Sequence, residues 1–261
     1  MSHDHNMPNG FSVREGSLFC EAVSADSLAQ RFATPLYVYS QTAITDAFAE
    51  WTDAFGGADH LICFAVKANS NIAILKLLAS LGSGFDIVSG GELRRVLAAG
   101  GDAGKVVFSG VGKSAAEIEL ALTAGIRCFN VESASELALI ERIARHLNTV
   151  APISVRLNPD VDAKTHPYIS TGLKENKFGV DAKIARTLYH RANESDALLP
   201  VGIDCHIGSQ LTEIEPFIDS VKHLKNLVLD LRSGGIALQH IDIGGGSVSY
   251  THLRAHETSE N

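Results

Sequence analysis

Seven short β-branched runs, separated by stretches of helical periodicity, constrain this chain more than any other feature of its sequence. The runs are Leu61 to Lys67, Phe85 to Val88, Val106 to Ser109, Ile126 to Val131, Ile153 to Leu157, Gly202 to Ile207 and His240 to Ile243. Strand and helix in regular alternation is the pattern of βα units, and it predicts one parallel sheet, because each helix returns the chain to the end where the last strand began. Local punctuation agrees. Ser114 with Glu117, Ser133 with Glu136, Thr212 with Glu215 and Ser89 with Glu92 have the hydroxyl-to-glutamate spacing of a capping box. Gly82, Gly100, Gly125 and Gly234 fall where a helix needs a left-handed closing residue, which a side chain without Cβ adopts cheaply.

Two architectures satisfy this pattern, an open doubly wound sheet and a (β/α)8 TIM-type barrel. Nearly every run ends on polar groups: Lys67, Asp86 with Ser89, Ser109, Asn130, Arg156 with Asn158, His206 with Ser209, and Asp242 with Gly244. A barrel gathers the C-terminal ends of all its strands at one face, so the sequence favours a barrel, here incomplete, with about seven strands. No Gly-x-Gly-x-x-Gly follows the first run, which removes support for a dinucleotide site.

With 261 residues, 45% of them hydrophobic, the chain can bury a large core. A net charge of -8 argues against a nucleic-acid or anionic-membrane surface, and no apolar run is long enough to cross a bilayer. Small molecules are the expected partners. Cys63, Cys128 and Cys205 sit inside apolar runs with no Cys or His at metal-ligand spacing, so they are expected to be buried free thiols in a reducing cytoplasm, with no metal. The N-terminus, with His3, Asp4, His5 and Asn6 before Pro8, lacks the basic and apolar regions of an export signal and predicts a frayed start.

Lys67 is the candidate nucleophile. An ammonium at the end of an apolar strand is costly to desolvate, and desolvation favours the neutral amine that condenses with a carbonyl to give a Schiff base. A lysine snorkelling to solvent is the competing reading. Gly244-Gly245-Gly246 after the seventh run would let backbone amides approach a phosphate, or would simply make a flexible turn. Gly208-Ser209 could add an amide and a hydroxyl to the same anion. His206 could lie across a flat ring or serve as a structural imidazole, and Arg156 could hold a cofactor substituent or a carboxylate.

Taken together, Phe64-Ala65-Val66-Lys67-Ala68-Asn69, Phe85-Asp86 through Ser89-Gly90-Gly91-Glu92, Arg156-Leu157-Asn158-Pro159, His206-Ile207-Gly208-Ser209-Gln210 and Asp242 to Gly246 resemble the barrel domain of fold-type III pyridoxal-phosphate decarboxylases. Thr165 to Gly172, leading to Asn176-Lys177-Phe178-Gly179, is similar to the diaminopimelate decarboxylase branch of that family. The resemblance implies that Lys67 carries pyridoxal 5'-phosphate, that His206 stacks on its ring, and that Ser209, Gly244, Gly245 and Gly246 hold its phosphate. Asp86, Glu92 and Arg156 would support ring and histidine, and His166 and Lys177 would line the site or order its loop. It further implies decarboxylation of meso-diaminopimelate to L-lysine by a homodimer. Related decarboxylases of ornithine, arginine or carboxynorspermidine, and a racemase-like or carrier barrel, share the central constellation.

The resemblance runs from about Phe11 to Gly246. Residues 1–34 read as an N-terminal segment and 35–246 as the cofactor-binding barrel, while 247–261 are polar without strand or helix period and resemble a translated sequencing adapter. The expectation is a reading frame ended early, lacking an eighth strand and the family's C-terminal β domain, with two unpaired sheet edges, poor stability and little activity of its own.

Overall fold

The direction in which each strand residue points decides between the two architectures. The structure is a computed structural model describing residues 7–159, 178–209 and 211–247. After an antiparallel meander of β1 (Phe11–Arg14), β2 (Ser17–Cys20) and β3 (Val23–Ser24) come α1 (Ala25–Phe32) and α2 (Gln41–Phe55). Then β4 (Cys63–Ala65), β5 (Gly84–Ile87), β6 (Val106–Phe108), β7 (Cys128–Val131), β8 (Ala151–Arg156), β9 (Leu198–Asp204) and β10 (His240–Asp242) form one sheet in chain order. Every neighbouring pair in it is parallel. All seven expected strands are present, most of them shorter than the apolar runs that announce them.

One face of this sheet is apolar. Phe85, Ile87, Phe108, Phe129, Val131, Ile153, Val155 and Ile203 are fully buried in a single core. The helices between strands, α3 (Ile72–Ser80), α4 (Gly90–Ala98), α5 (Ala115–Ala124), α6 (Ala134–His146), α7 (Ala182–Glu194) and α8 (Glu215–Ser233), add Leu75, Leu93, Ile118, Leu137, Leu188 and Leu224 to that same core. All therefore pack on one side, as a barrel requires and a doubly wound sheet does not. The sheet also curls. Cys128 Sγ of β7 lies 3.9 Å from His240 Nε2 of β10, whereas strands three apart in a flat sheet are separated by about 14 Å. Among the described residues β4 pairs only with β5 and β10 only with β9, so the architecture is a half-barrel with two free edges.

Caps set where the helices begin. Ser114 and Glu117 form the full reciprocal box on α5. Ser89 and Ser133 accept from the backbones of Glu92 and Glu136, but those glutamates turn to the amides of Val88 and Glu132. Two expectations need correction. Thr212 and Glu215 make no box, since α8 starts one residue past Ile214 without a side-chain cap and with proline in its first turn. Gly234 has a right-handed φ of -87°, and Gly235, at φ +86°, takes the left-handed conformation instead.

Between β8 and β9 the register slips, pairing Ile153 with Pro200 but Ser154 with Gly202. Pro200 has no N–H to give the ladder, and the slip leaves backbone groups that another donor or acceptor must satisfy. Tyr189 of α7 does so, its hydroxyl donating to Gly202 O at 2.6 Å and accepting from Val155 N at 3.2 Å. Tyr189→Phe should lower the unfolding free energy by about 1–3 kcal/mol by orphaning both groups, read as a lower denaturant midpoint at unchanged slope. An unchanged midpoint would remove the hydroxyl from this account.

Candidate functional site

Residues two apart on each strand share a face, so the second face of the curled sheet collects Asp86, Ser109, Asn130, Ser154, Arg156, Asp204, His206 and Asp242 toward its C-terminal end. These groups form a connected wall. Asn130 Nδ2 donates to Ser109 Oγ at 3.2 Å, and Ser109 Oγ donates to Asp86 Oδ1 at 2.5 Å. Arg156 Nη1 donates to Glu132 Oε1 at 3.0 Å, its Nε lies 3.9 Å from Asp204 Oδ2, and its guanidinium carbon sits 5.2 Å above the Phe178 ring. Ser154 Oγ, fully buried, has no partner among the described residues.

Burial dominates the electrostatics, and acidic crowding adds to it. Burial pushes the Asp86 carboxyl up to about 6; the Ser109 hydrogen bond opposes this, the Asp242 charge adds to it, and the Lys67 charge offsets part. Burial and then Asp242 raise Asp204 well above the usual carboxylate range, against the pull of Arg156. Asp86 and Asp242 come from strands near opposite edges of the sheet, so their coupling is a consequence of the curl. Burial also drives the Cys63 and Cys205 thiols up to about 12, so neither is a thiolate near neutral pH. Cys205 and Cys128 are buried as expected, and Cys63 is half-buried; none of the cysteines is in a disulfide.

Lys67 occupies the expected place with a different environment. The strand ends at Ala65, and Lys67 lies in a 3-10 turn, Val66–Ala68, with Val66 buried beneath it and its own side chain exposed. Burial of the amine, as read from the sequence, is thus corrected. A strand end that turns outward delivers the lysine to the mouth above the wall. The charge of Lys67 acts on both Asp86 and His206, which places the three at one opening.

His206, just past β9, is partly buried, and burial followed by the charges of Arg156 and Lys67 lowers its pKa to about 4. Gly245 N donates to its Nδ1 at 3.3 Å, so the neutral ring carries its proton on Nε2. The glycine run after β10 divides by role. A Cβ on Gly244 would stand 2.6 Å from Cys205 O, and one on Gly246 only 2.1 Å from Gly208 O, so both are needed for two loops to pack backbone against backbone. Around Gly245 nothing lies within 4 Å of a Cβ position. Ser209 is exposed on the facing loop. Glu92 spends its carboxylate on Val88 N at 2.7 Å, and its charge still reaches Asp86. His166 and Lys177 lie outside the described residues.

Sequence reasoning missed Glu132 and Lys113. Lys113, its side chain fully buried, donates to Glu136 Oε1 at 2.6 Å and to the carbonyls of Gly110 and Asn130. Glu132 joins the loops after β6, β7 and β8. Its signal was present as a carboxylate directly after an apolar run, but the neighbouring cap Ser133–Glu136 accounted for the local charge.

The arrangement offers an exposed amine, a neutral imidazole, a guanidinium and a glycine loop open at Gly245 around one opening. Residues 41–261 match the family described as the pyridoxal-binding domain of pyridoxal-dependent decarboxylases. The chain is 56% identical over 236 residues to a diaminopimelate decarboxylase of Pseudomonas aeruginosa, covering 90% of this chain and 57% of that protein. A Neisseria meningitidis diaminopimelate decarboxylase is 58% identical over 230 residues, covering 88% and 56%. The crystal structure of the Helicobacter pylori diaminopimelate decarboxylase complexed with L-lysine superposes with a TM-score of 0.84 at 51% identity, over 86% of this chain and 57% of that one. The chain thus spans a little over half the length of these relatives.

A histidine whose folded pKa is about 4 against about 6.5 unfolded contributes stability that is complete above pH 6.5 and is lost as pH falls through 4. Between pH 7 and pH 4.5 the wild type should therefore lose stability relative to His206→Gln, by up to about 3 kcal/mol in denaturant unfolding. A difference that does not change with pH would contradict the neutral, partly buried ring.

Proposed function

The chain belongs to the pyridoxal-dependent decarboxylases, and we propose that it is the cofactor-binding half-barrel of a diaminopimelate decarboxylase, acting in the cytoplasm as part of a homodimer. One observation carries the reading: Lys67, Asp86, Arg156, His206 and the loop Gly244–Gly246 meet at a single mouth although they come from five strands. The residues fit pyridoxal 5'-phosphate, which needs a primary amine for its aldehyde, a flat contact for its ring and a backbone seat for its phosphate, toward which the Gly244 and Gly245 amides would turn from Asp242 Oδ1 and His206 Nδ1. The open Cβ direction at Gly245 supports the last of these, since any side chain there would stand where an anion must approach. Ser209, on the facing loop, adds a hydroxyl to that seat.

When bound, the cofactor supplies a conjugated, electron-withdrawing ring that takes up the electron pair left as carbon dioxide departs from an amino acid. The chain's own residues hold and orient. Lys67, exposed at the mouth, offers its amine to the aldehyde carbon and can pass a proton at Nζ. His206 stays uncharged near neutral pH and lends a flat apolar face without adding positive charge. Asp86, raised to about 6 by burial, can hold a proton at its free oxygen while Ser109 fixes the other. Arg156 supplies the permanent positive charge of the wall, held by Glu132 and beside Asp204. The substrate assignment rests on relatives that are diaminopimelate decarboxylases at 50–58% identity.

Incubation with pyridoxal phosphate followed by borohydride and peptide mapping should place the adduct on Lys67 and on no other lysine, and Lys67→Ala should abolish it. An adduct elsewhere, with Lys67 unmodified, would refute the assignment. In the same assay Gly245→Ala should weaken cofactor binding about ten-fold with little change in thermal midpoint, whereas Gly246→Ala should lower the midpoint, because only the second substitution collides with the protein itself. Equal effects of the two on stability would contradict the division of roles.

A further inference from the structure

The wall's one guanidinium, Arg156, is held by a carboxylate that has no assigned role. Glu132, in the turn after β7, has a side chain only 2% exposed. Its Oε1 accepts from Arg156 Nη1 at 3.0 Å and from Gly110 N at 3.2 Å, and its Oε2 accepts from Gly179 N at 3.3 Å. One side chain thereby ties together the loop after β6, its own loop after β7, the end of β8, and the point where the chain returns toward α7. The main chain supports the same junction, with Val180 N donating to Arg156 O and Asn158 N to Val180 O.

Glu132 is itself fixed from behind. Its backbone N–H donates to Glu136 Oε2 at 2.8 Å, and the other oxygen of Glu136 takes the buried ammonium of Lys113 at 2.6 Å. The succession Lys113, Glu136, Glu132, Arg156 thus runs from the helix layer to the inner wall with a cation at each end and two carboxylates between, joined through the Glu132 backbone N–H. A competing partner lies close to the guanidinium, for Asp204 Oδ2 is 3.9 Å from Arg156 Nε, too far for a hydrogen bond. Without Glu132, the guanidinium has a second carboxylate to turn to, deeper in the wall and on β9.

We infer that Glu132 is a positioning residue for the cofactor site: its carboxylate holds the Arg156 guanidinium at the mouth and keeps it from collapsing onto Asp204. Three neutral or charged donors converge on the two oxygens of Glu132, which is what a fixed rather than a swinging carboxylate requires. The inference rests on the reading of this mouth as a pyridoxal-phosphate site, so its test has one arm that uses the cofactor and one that does not.

In nitrogen-15-labelled protein without cofactor, the Gly179 and Gly110 amides should exchange with solvent at least about ten-fold faster in Glu132→Gln than in wild type, while the amide of Phe129 in β7 is unaffected. Equal exchange at these two amides overturns the clamp whatever the cofactor does. In a titration with pyridoxal phosphate, Glu132→Gln should weaken binding about ten-fold, the scale of a charge-assisted hydrogen bond, and the loss should disappear when Arg156→Gln is already present. Unchanged affinity, or an equal loss on both backgrounds, shows that Glu132 does not act through Arg156 and overturns the inference. Failure of the wild type to bind cofactor at all sinks the functional reading and leaves the exchange measurement to decide the clamp. If Glu132→Gln is insoluble, Glu132→Asp, which keeps the charge and retracts it by one methylene, carries the same expectations and the same contradictions.

Discussion

The two-residue repeat of a β-strand, applied seven times in parallel, is the constraint on which everything else in this molecule depends. It sends Phe85, Phe108, Phe129, Ile153 and Ile203 outward into one helix-covered core, and Asp86, Ser109, Asn130, Ser154 and Asp204 inward. A shift of one residue in any strand would exchange those sets. The slip at Pro200 shows the cost of keeping register, because a tyrosine from the helix layer is needed to satisfy the backbone there. Curl does the rest, bringing together side chains whose strands lie several places apart.

That curl concentrates charge that the sequence disperses. Burial displaces the Asp86 and Asp204 carboxyls upward with Asp242 adding to both, and burial with the charges of Arg156 and Lys67 keeps His206 neutral beside them. Arg156 and Lys67 are the cations that bear on this group. One is locked into the wall by Glu132, and the other stands exposed at its rim. The contrast suits a site in which one positive charge must keep its place and one amine must react.

Much of this was legible in the sequence. The strands announced themselves because β-branched runs were bracketed by caps and closing glycines, and the candidate site residues stood out because polar groups at strand ends have few structural reasons to be there. What stayed hidden involved distance or direction. Glu132 meets Arg156 across 24 positions only through parallel register, so no local pattern marks the pair. Lys67 was recognisable by type and place, but its exposure follows from the strand ending two residues early. Gly235 rather than Gly234 turns left-handed because α8 ends on Ser233 with a further residue still near helical geometry, a difference that spacing alone does not resolve. Glycines 244 and 246 read from the sequence as phosphate ligands, and their first duty proved to be letting two loops touch.

The central claim is that the exposed amine above this acidic wall would hold the cofactor through which the completed chain decarboxylates one specific amino acid. The most direct test is release of labelled carbon dioxide from carboxyl-labelled meso-diaminopimelate, ornithine and arginine by this chain completed to the length of its relatives, with and without Lys67→Ala. The account predicts release from meso-diaminopimelate alone and its loss with the lysine. Undiminished release after Lys67→Ala would contradict it.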